Sequence, residues 1–192
     1  MNNQEIGIIV EKALRQKESL MIYKHIDSVK IIPPDFSEDK KFRYKLEINL
    51  KNKDIGETIC IIMQNPSYAN EDIADKSVNF LEKLIFEKNY SEFNNINKII
   101  IINQFAYIQT NDFKGTNEQI GERNNKIIEE TIRNSDLILI AWGVSNSYKE
   151  RKEFINSILI NQTNKDKKQL ATKKHPSRGF YENFIDTYHA NI

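Results

Sequence analysis

Only one cysteine, Cys60, occurs in 192 residues. No intrachain disulfide can form, as expected of a chain that folds in a reducing cytoplasm. Cys60 lies inside an apolar run, which marks it as core rather than nucleophile. Charge of one sign is lacking as well. The 28 Lys and Arg are balanced by 27 Asp and Glu, for a formal net charge of +1. The molecule as a whole therefore carries no electrostatic footprint of a nucleic-acid partner, and any such footprint has to be local. No apolar run approaches the roughly 20 residues of a membrane span. The opening Met-Asn-Asn-Gln-Glu lacks a basic stretch followed by an apolar one, so neither a membrane anchor nor a signal peptide is expected. Neither GxxxxGK[ST] nor GxGxxG occurs, which argues against the common nucleotide-binding loops. No Cys/His set has zinc spacing. The expectation is a monomer in the cytoplasm with no metal and no cofactor.

What is present reads as one domain. The length suits a single domain with a core that needs no disulfide or metal, and 39% hydrophobic with 29% charged residues is a globular balance. Residues 3–17 have the period of a helix, with Ile6, Ile9, Val10, Ala13 and Leu14 on one face, and 20–26 could form a strand. Pro33-Pro34-Asp35 is expected to break regular structure. Residues 42–50 alternate, with Tyr44, Leu46, Ile48 and Leu50 on one side. Three continuous apolar runs then follow: Ile59–Met63, Lys98–Ile102 and Leu137–Ala141. Lys168–Lys173 is a weaker fourth. Such runs suit strands buried on both faces. Helical patterns separate them, and capping-box spacings, Thr116 with Gln119 and Ser147 with Glu150, mark two helix starts. The pattern predicts an α/β three-layer sandwich with a central, mainly parallel sheet of four to five strands. It divides into an N-terminal arm, 1–40, packed on a single α/β domain, 41–192.

Ligands of such sheets bind beyond the carboxyl ends of the strands. Gln64-Asn65-Pro66-Ser67-Tyr68 follows the first run and Asn103-Gln104-Phe105 closes the second. Trp142-Gly143 follows the third and His175-Pro176-Ser177 the fourth. Amides, hydroxyls, aromatics and one imidazole thus gather on one edge. Each feature has a plainer explanation: a turn, a strand-end cap, a core aromatic. Their shared topological position is what singles them out. His25 and His189 read as surface or packing residues. Lys165, Lys167, Lys168, Lys173, Lys174 and Arg178 surround His175 in sequence, and a DNA partner for Lys167, Lys168, Lys173, Lys174 and Arg178 would show as binding that weakens steeply with salt.

Six segments in order resemble domain-of-unknown-function family 1643: Arg43-Tyr44-x-Leu46, Ile62-Met63-x-Asn65-Pro66-Ser67, Asn103-x-Phe105-Ala106, Gly121-x-x-Asn124, Ala141-Trp142-Gly143 and His175-Pro176. The same order resembles, more distantly, the uracil-DNA glycosylase superfamily, which implies a uracil-DNA glycosylase-like fold and excision of a base from DNA. By that resemblance Asn65 and His175 are catalytic: Asn65 holds a water and His175 donates a hydrogen bond to the departing base. Gln64, Ser67, Tyr68, Asn103, Phe105, Trp142, Gly143 and Ser177 bind substrate, with Asn103 pairing to the base edge, while Phe180 or Arg178 fills the gap left by a flipped base. Met63 or Gln64, where a glycine is usual, and Ser67 depart from the usual residues, which points to a base other than plain uracil. A modified pyrimidine of the kind found in some phage genomes is one such target, which would serve anti-phage defence. Two alternatives remain: a nucleoside or nucleotide hydrolase or base transferase acting on small molecules, and a non-catalytic nucleic-acid sensor.

Overall fold

Right-handed crossovers and buried apolar strands together dictate the architecture. The computed structural model describes residues 23–109, 111–161 and 167–190. The helix expected over 3–17 lies outside these residues, as does part of the strand expected over 20–26. Of that expected strand, residues 23–26 are described, and they form one isolated bridge, Tyr23 antiparallel to Ala74, rather than a strand. The chain forms β1 (Val29–Phe36), β2 (Arg43–Leu50), β3 (Glu57–Met63), α1 (Lys76–Phe86), β4 (Ile96–Asn103), α2 (Asn124–Asn134), β5 (Leu137–Ile140), α3 (Lys149–Asn161), β6 (Lys168–Thr172) and β7 (Ile185–Thr187). Among the described residues, no helix is long and apolar enough to cross a membrane.

The seven strands of the described residues join one sheet in the order β1-β2-β4-β3-β5-β6-β7. The central four, β4-β3-β5-β6, are parallel. β1, β2 and β7 run antiparallel to their neighbours. The sheet is therefore mixed and seven-stranded, rather than mainly parallel with four to five strands. The apolar runs became the parallel core, where both faces are covered. The added strands are edge or near-edge elements that need only one buried face. β1 contains Pro33 and Pro34. Pro is tolerated at a sheet edge, where its missing N–H faces no partner strand, and the pairing with β2 shifts register between Ile32 and Asp35.

A right-handed crossover places a helix on one face when the chain moves one way along the sheet and on the other face when it moves back. From β3 the chain moves outward to β4 through α1. From β4 it passes over β3 to β5 through α2, and on to β6 through α3. The core divides accordingly. Val78, Leu81, Leu84 and Ile85 of α1 pack with Ile59, Ile61, Ile99, Ile101 and Leu139. Ile128 and Ile132 of α2 and Ile155 and Leu159 of α3 pack with Cys60, Ile62, Ile102 and Ile138 on the opposite face. Between β3 and β5 the following helices leave to opposite faces, which opens the crevice where such sheets bind ligands.

Local signals at two helix starts work differently from expectation. The Thr116–Gln119 capping box is formed, yet it caps the short 3-10 turn Asn117–Gln119, and α2 begins only at Asn124. Ser147 bonds Ser145 instead of heading α3. That helix starts at Lys149, after Tyr148 at a φ of 60°.

Candidate active site

The parallel ladder extends past the strand ends and brings the first two loops together. Gln104 N–H donates to Met63 O at 2.9 Å and Phe105 N–H to Gln64 O at 3.1 Å. Asn65 is half-buried beyond this ladder. Its amide nitrogen donates to the Gln109 carbonyl, and its Oδ1 accepts from Gln64 Nε2 at 3.2 Å. One lone pair of Oδ1 remains for a further donor. Gln109 also lines an open cleft of about 620 Å³ with Phe42, Tyr107 and Gln119.

Asn103 ends β4 in register with Met63 of β3. It is 1% exposed, and neither its Oδ1 nor its Nδ2 has a hydrogen-bond partner. Both amide atoms of the neighbouring Gln104 are also buried and unpartnered, as is Oδ1 of Asn124. An unmatched buried polar group costs about 1–3 kcal/mol. Such a cluster marks an internal water, a bound ion or a functional role. The backbone around it is held firmly. Asn124 Nδ2 donates to the carbonyls of Asn103 and Gln104 at 3.1 Å each. Arg151 donates twice to the Gln104 carbonyl, at 3.0 and 2.7 Å. Burial lowers the Arg151 pKa to about 10.

His175 reaches the same edge from β6. Gly143, at a φ of 82°, lets the loop after β5 come so close that a Cβ there would lie 3.3 Å from the His175 nitrogen. The imidazole Nδ1 accepts the Ser177 backbone N–H at 3.2 Å and lies 2.9 Å from the Ser177 hydroxyl. An Nδ1 that accepts leaves the neutral ring's proton on Nε2. Burial pushes the His175 pKa below its ordinary value. The charge of Asp75 opposes that shift and Arg178 adds to it. At neutral pH the ring is thus an uncharged donor through Nε2.

Sequence reasoning passed over two residues here. Asp75 caps α1 by accepting Val78 N–H at 2.8 Å, which is all a helix-start acid ordinarily does. Its second oxygen accepts the Ser67 hydroxyl. Arg43, 2% exposed, donates to the carbonyls of Ala69 at 2.7 Å and Ser67 at 3.4 Å. Burial lowers its pKa to about 10, against the opposing charge of Asp75. Arg43 opens the first family-like segment, and that was its only signal. Nothing local marked Asp75 beyond a cap.

The loops after β3, β5 and β6 therefore meet, bringing Asn65, Ser67, Gly143, His175 and Ser177 to one edge, with Asn103 at the end of β4. Tyr68 is half-buried in the same loop. Two aromatics are sunk in the core. Trp142 packs on the α2/α3 face with Tyr188 edge-on at 6.2 Å. Phe105, 1% exposed, sits between Phe113 and Tyr148. The basic residues do not form one cluster. Lys168 begins β6 at the far edge of the sheet, and Lys167 donates to the Ile132 and Arg133 carbonyls at the end of α2. Beside His175, Lys173 pairs with Asp186 at 3.6 Å. Lys174 lies over the Phe180 ring at 5.7 Å, and Arg178 is exposed.

The chain belongs to a family described as "Protein of unknown function (DUF1643)", whose model matches residues 43–177. That span runs from the buried Arg43 to Ser177 and takes in every residue of the edge described above. No curated protein and no solved structure matches the chain.

Proposed function

We propose that this member of the DUF1643 family is a DNA glycosylase-like hydrolase of the uracil-DNA glycosylase kind, which cleaves the N-glycosidic bond of a modified or damaged base. The observation that carries the reading is Asn103: a buried side-chain amide with both donor and acceptor unmatched, at the strand end where two further loops bring an imidazole and a second carboxamide. One donor and one acceptor on a single group is the complement of a nucleobase edge.

The rest of the edge suits the same chemistry. Leaving of the base builds negative charge on it and positive charge on the sugar, so the site has to stabilise an anion and present a water. A neutral His175 with its proton on Nε2 can donate to a base oxygen. Asn65 can hold the water through the open lone pair of Oδ1.

Abasic-site formation on a panel of modified and damaged DNAs tests the proposal. The wild-type chain should release one class of base. His175→Ala and Asn65→Ala should each abolish release while remaining folded, and Asn103→Ala should lose discrimination between bases. Unchanged release in both of the first two variants would remove the mechanism.

One observation favours a second reading, hydrolysis of a free nucleoside or nucleotide. Of the basic residues that surround His175 in sequence, the structure leaves Lys174 and Arg178 beside it without a carboxylate partner among the described residues, fewer than a duplex-binding face usually offers. Cleavage of free nucleosides with no release from any DNA would select it.

A further inference from the structure

We propose that Asp75 is the proton acceptor of this site, acting through the hydroxyl of Ser67; the inference rests on the N-glycosidic hydrolysis reading and holds for DNA or free nucleoside alike. The site as read from sequence lacked a base, since a carboxamide such as Asn65 can position a water but cannot take its proton. Asp75 supplies a carboxylate from an unexpected place, the N-cap of α1.

Capping uses only one of its oxygens. Oδ1 accepts Val78 N–H at 2.8 Å, while Oδ2 accepts from Ser67, two residues beyond Asn65. The charge of Asp75 also bears on Arg43 of β2 and on His175 after β6. Three separate parts of the fold therefore converge on one carboxylate. Arg43 is sealed from solvent and donates to the carbonyls of Ala69 and Ser67, so the charge of Asp75 acts on a buried cation.

The step balances as follows. The C1′–N bond breaks and its electron pair leaves with the base, which His175 Nε2–H stabilises. A water oxygen bonds to C1′. As it does, the water's proton passes to Ser67 Oγ and the hydroxyl proton of Ser67 passes to Asp75 Oδ2. The neutral acid then returns its proton to the departed base through solvent, which restores the carboxylate.

The variant Asp75→Asn separates this role from capping. Asn is as good an N-cap as Asp and keeps an oxygen for Val78, so the cap is kept while the charge vanishes, and any fall in Tm reports the charge lost near the buried Arg43. Base release should fall about 100-fold or more. The His175 ring should titrate at lower pH, because the Asp75 charge that raises its pKa is gone. Ser67→Ala should reproduce the loss of release and leave the His175 titration in place. It also serves as the test if D75N fails to fold. Release by D75N and S67A at the wild-type rate would overturn the proposal and leave the hydrolase reading intact. An unmoved His175 titration in folded D75N would overturn the assigned geometry even without a substrate. No release by the wild-type chain from any DNA or nucleoside would sink the underlying reading itself.

Discussion

At the scale of single residues, the state of His175 decides what the strand edge can do. Two groups of Ser177 occupy Nδ1, one of them a backbone N–H that can only donate. Burial disfavours the imidazolium. Ring-nitrogen NMR at neutral pH should therefore show Nδ1 bare and Nε2 protonated, with the charged form appearing only below the ordinary histidine range. A proton found on Nδ1 would deny the ring its donor toward the site. The placement of residues at this edge was partly legible in sequence. Asn65, Asn103 and His175 stand out because they follow apolar runs. Asp75 was not, because a helix cap and a site carboxylate look identical until the Ser67 loop folds against it. His25 was hidden for a related reason: its partner Glu82 is 57 positions away.

At the scale of elements, that His25–Glu82 pair fastens the chain before β1 to α1. Glu82 is 0% exposed and accepts from the His25 ring and from Ile26 N–H at 3.1 Å. His25 Nε2 donates to the Asn70 carbonyl at 2.8 Å, so the same ring also holds the Asn65–Asp75 loop from behind. Burial works against the charged ring, but Glu82, by hydrogen bond and by charge, and the backbone of Asn70 and Ile73 outweigh it and raise the His25 pKa. A histidine with a raised folded pKa contributes stability that is full below its unfolded pKa and is lost as pH climbs through the folded one. The stability difference between wild type and His25→Ala, from urea unfolding, should be larger at about pH 6 than at about pH 9. A difference that grows with pH would show that the neutral ring, not the charged one, holds Glu82. The edge strands illustrate the limit of pattern reading at this scale. Pro33-Pro34 reads as a break because Pro cannot serve a central ladder, but β1 is an edge. β7 is three residues long, too short for any alternation to register.

At the scale of the molecule, sequence proximity misrepresents charge. Lys167, Lys168, Lys173 and Lys174 lie within eight positions, yet β6 runs between the pairs and spans roughly 16 Å at about 3.3 Å per residue. Screening at physiological salt acts over about 8 Å, so the two ends of the strand behave as separate patches. Lys167 is committed to the end of α2, and Lys173 is offset by Asp186. What remains beside His175 is Lys174 and Arg178. If the substrate is DNA, the double variant Lys174→Ala/Arg178→Ala should weaken binding and lower the salt slope by about 2, one counterion per lost phosphate contact. Lys168→Ala, at the far end, should leave both unchanged. Equal losses from the two variants would mean that the nucleic acid runs along β6 rather than across the strand ends. No loss from either would mean that the anion recognised is small enough to sit within the edge, among Asn65, Asn103 and His175, without touching the surface cations.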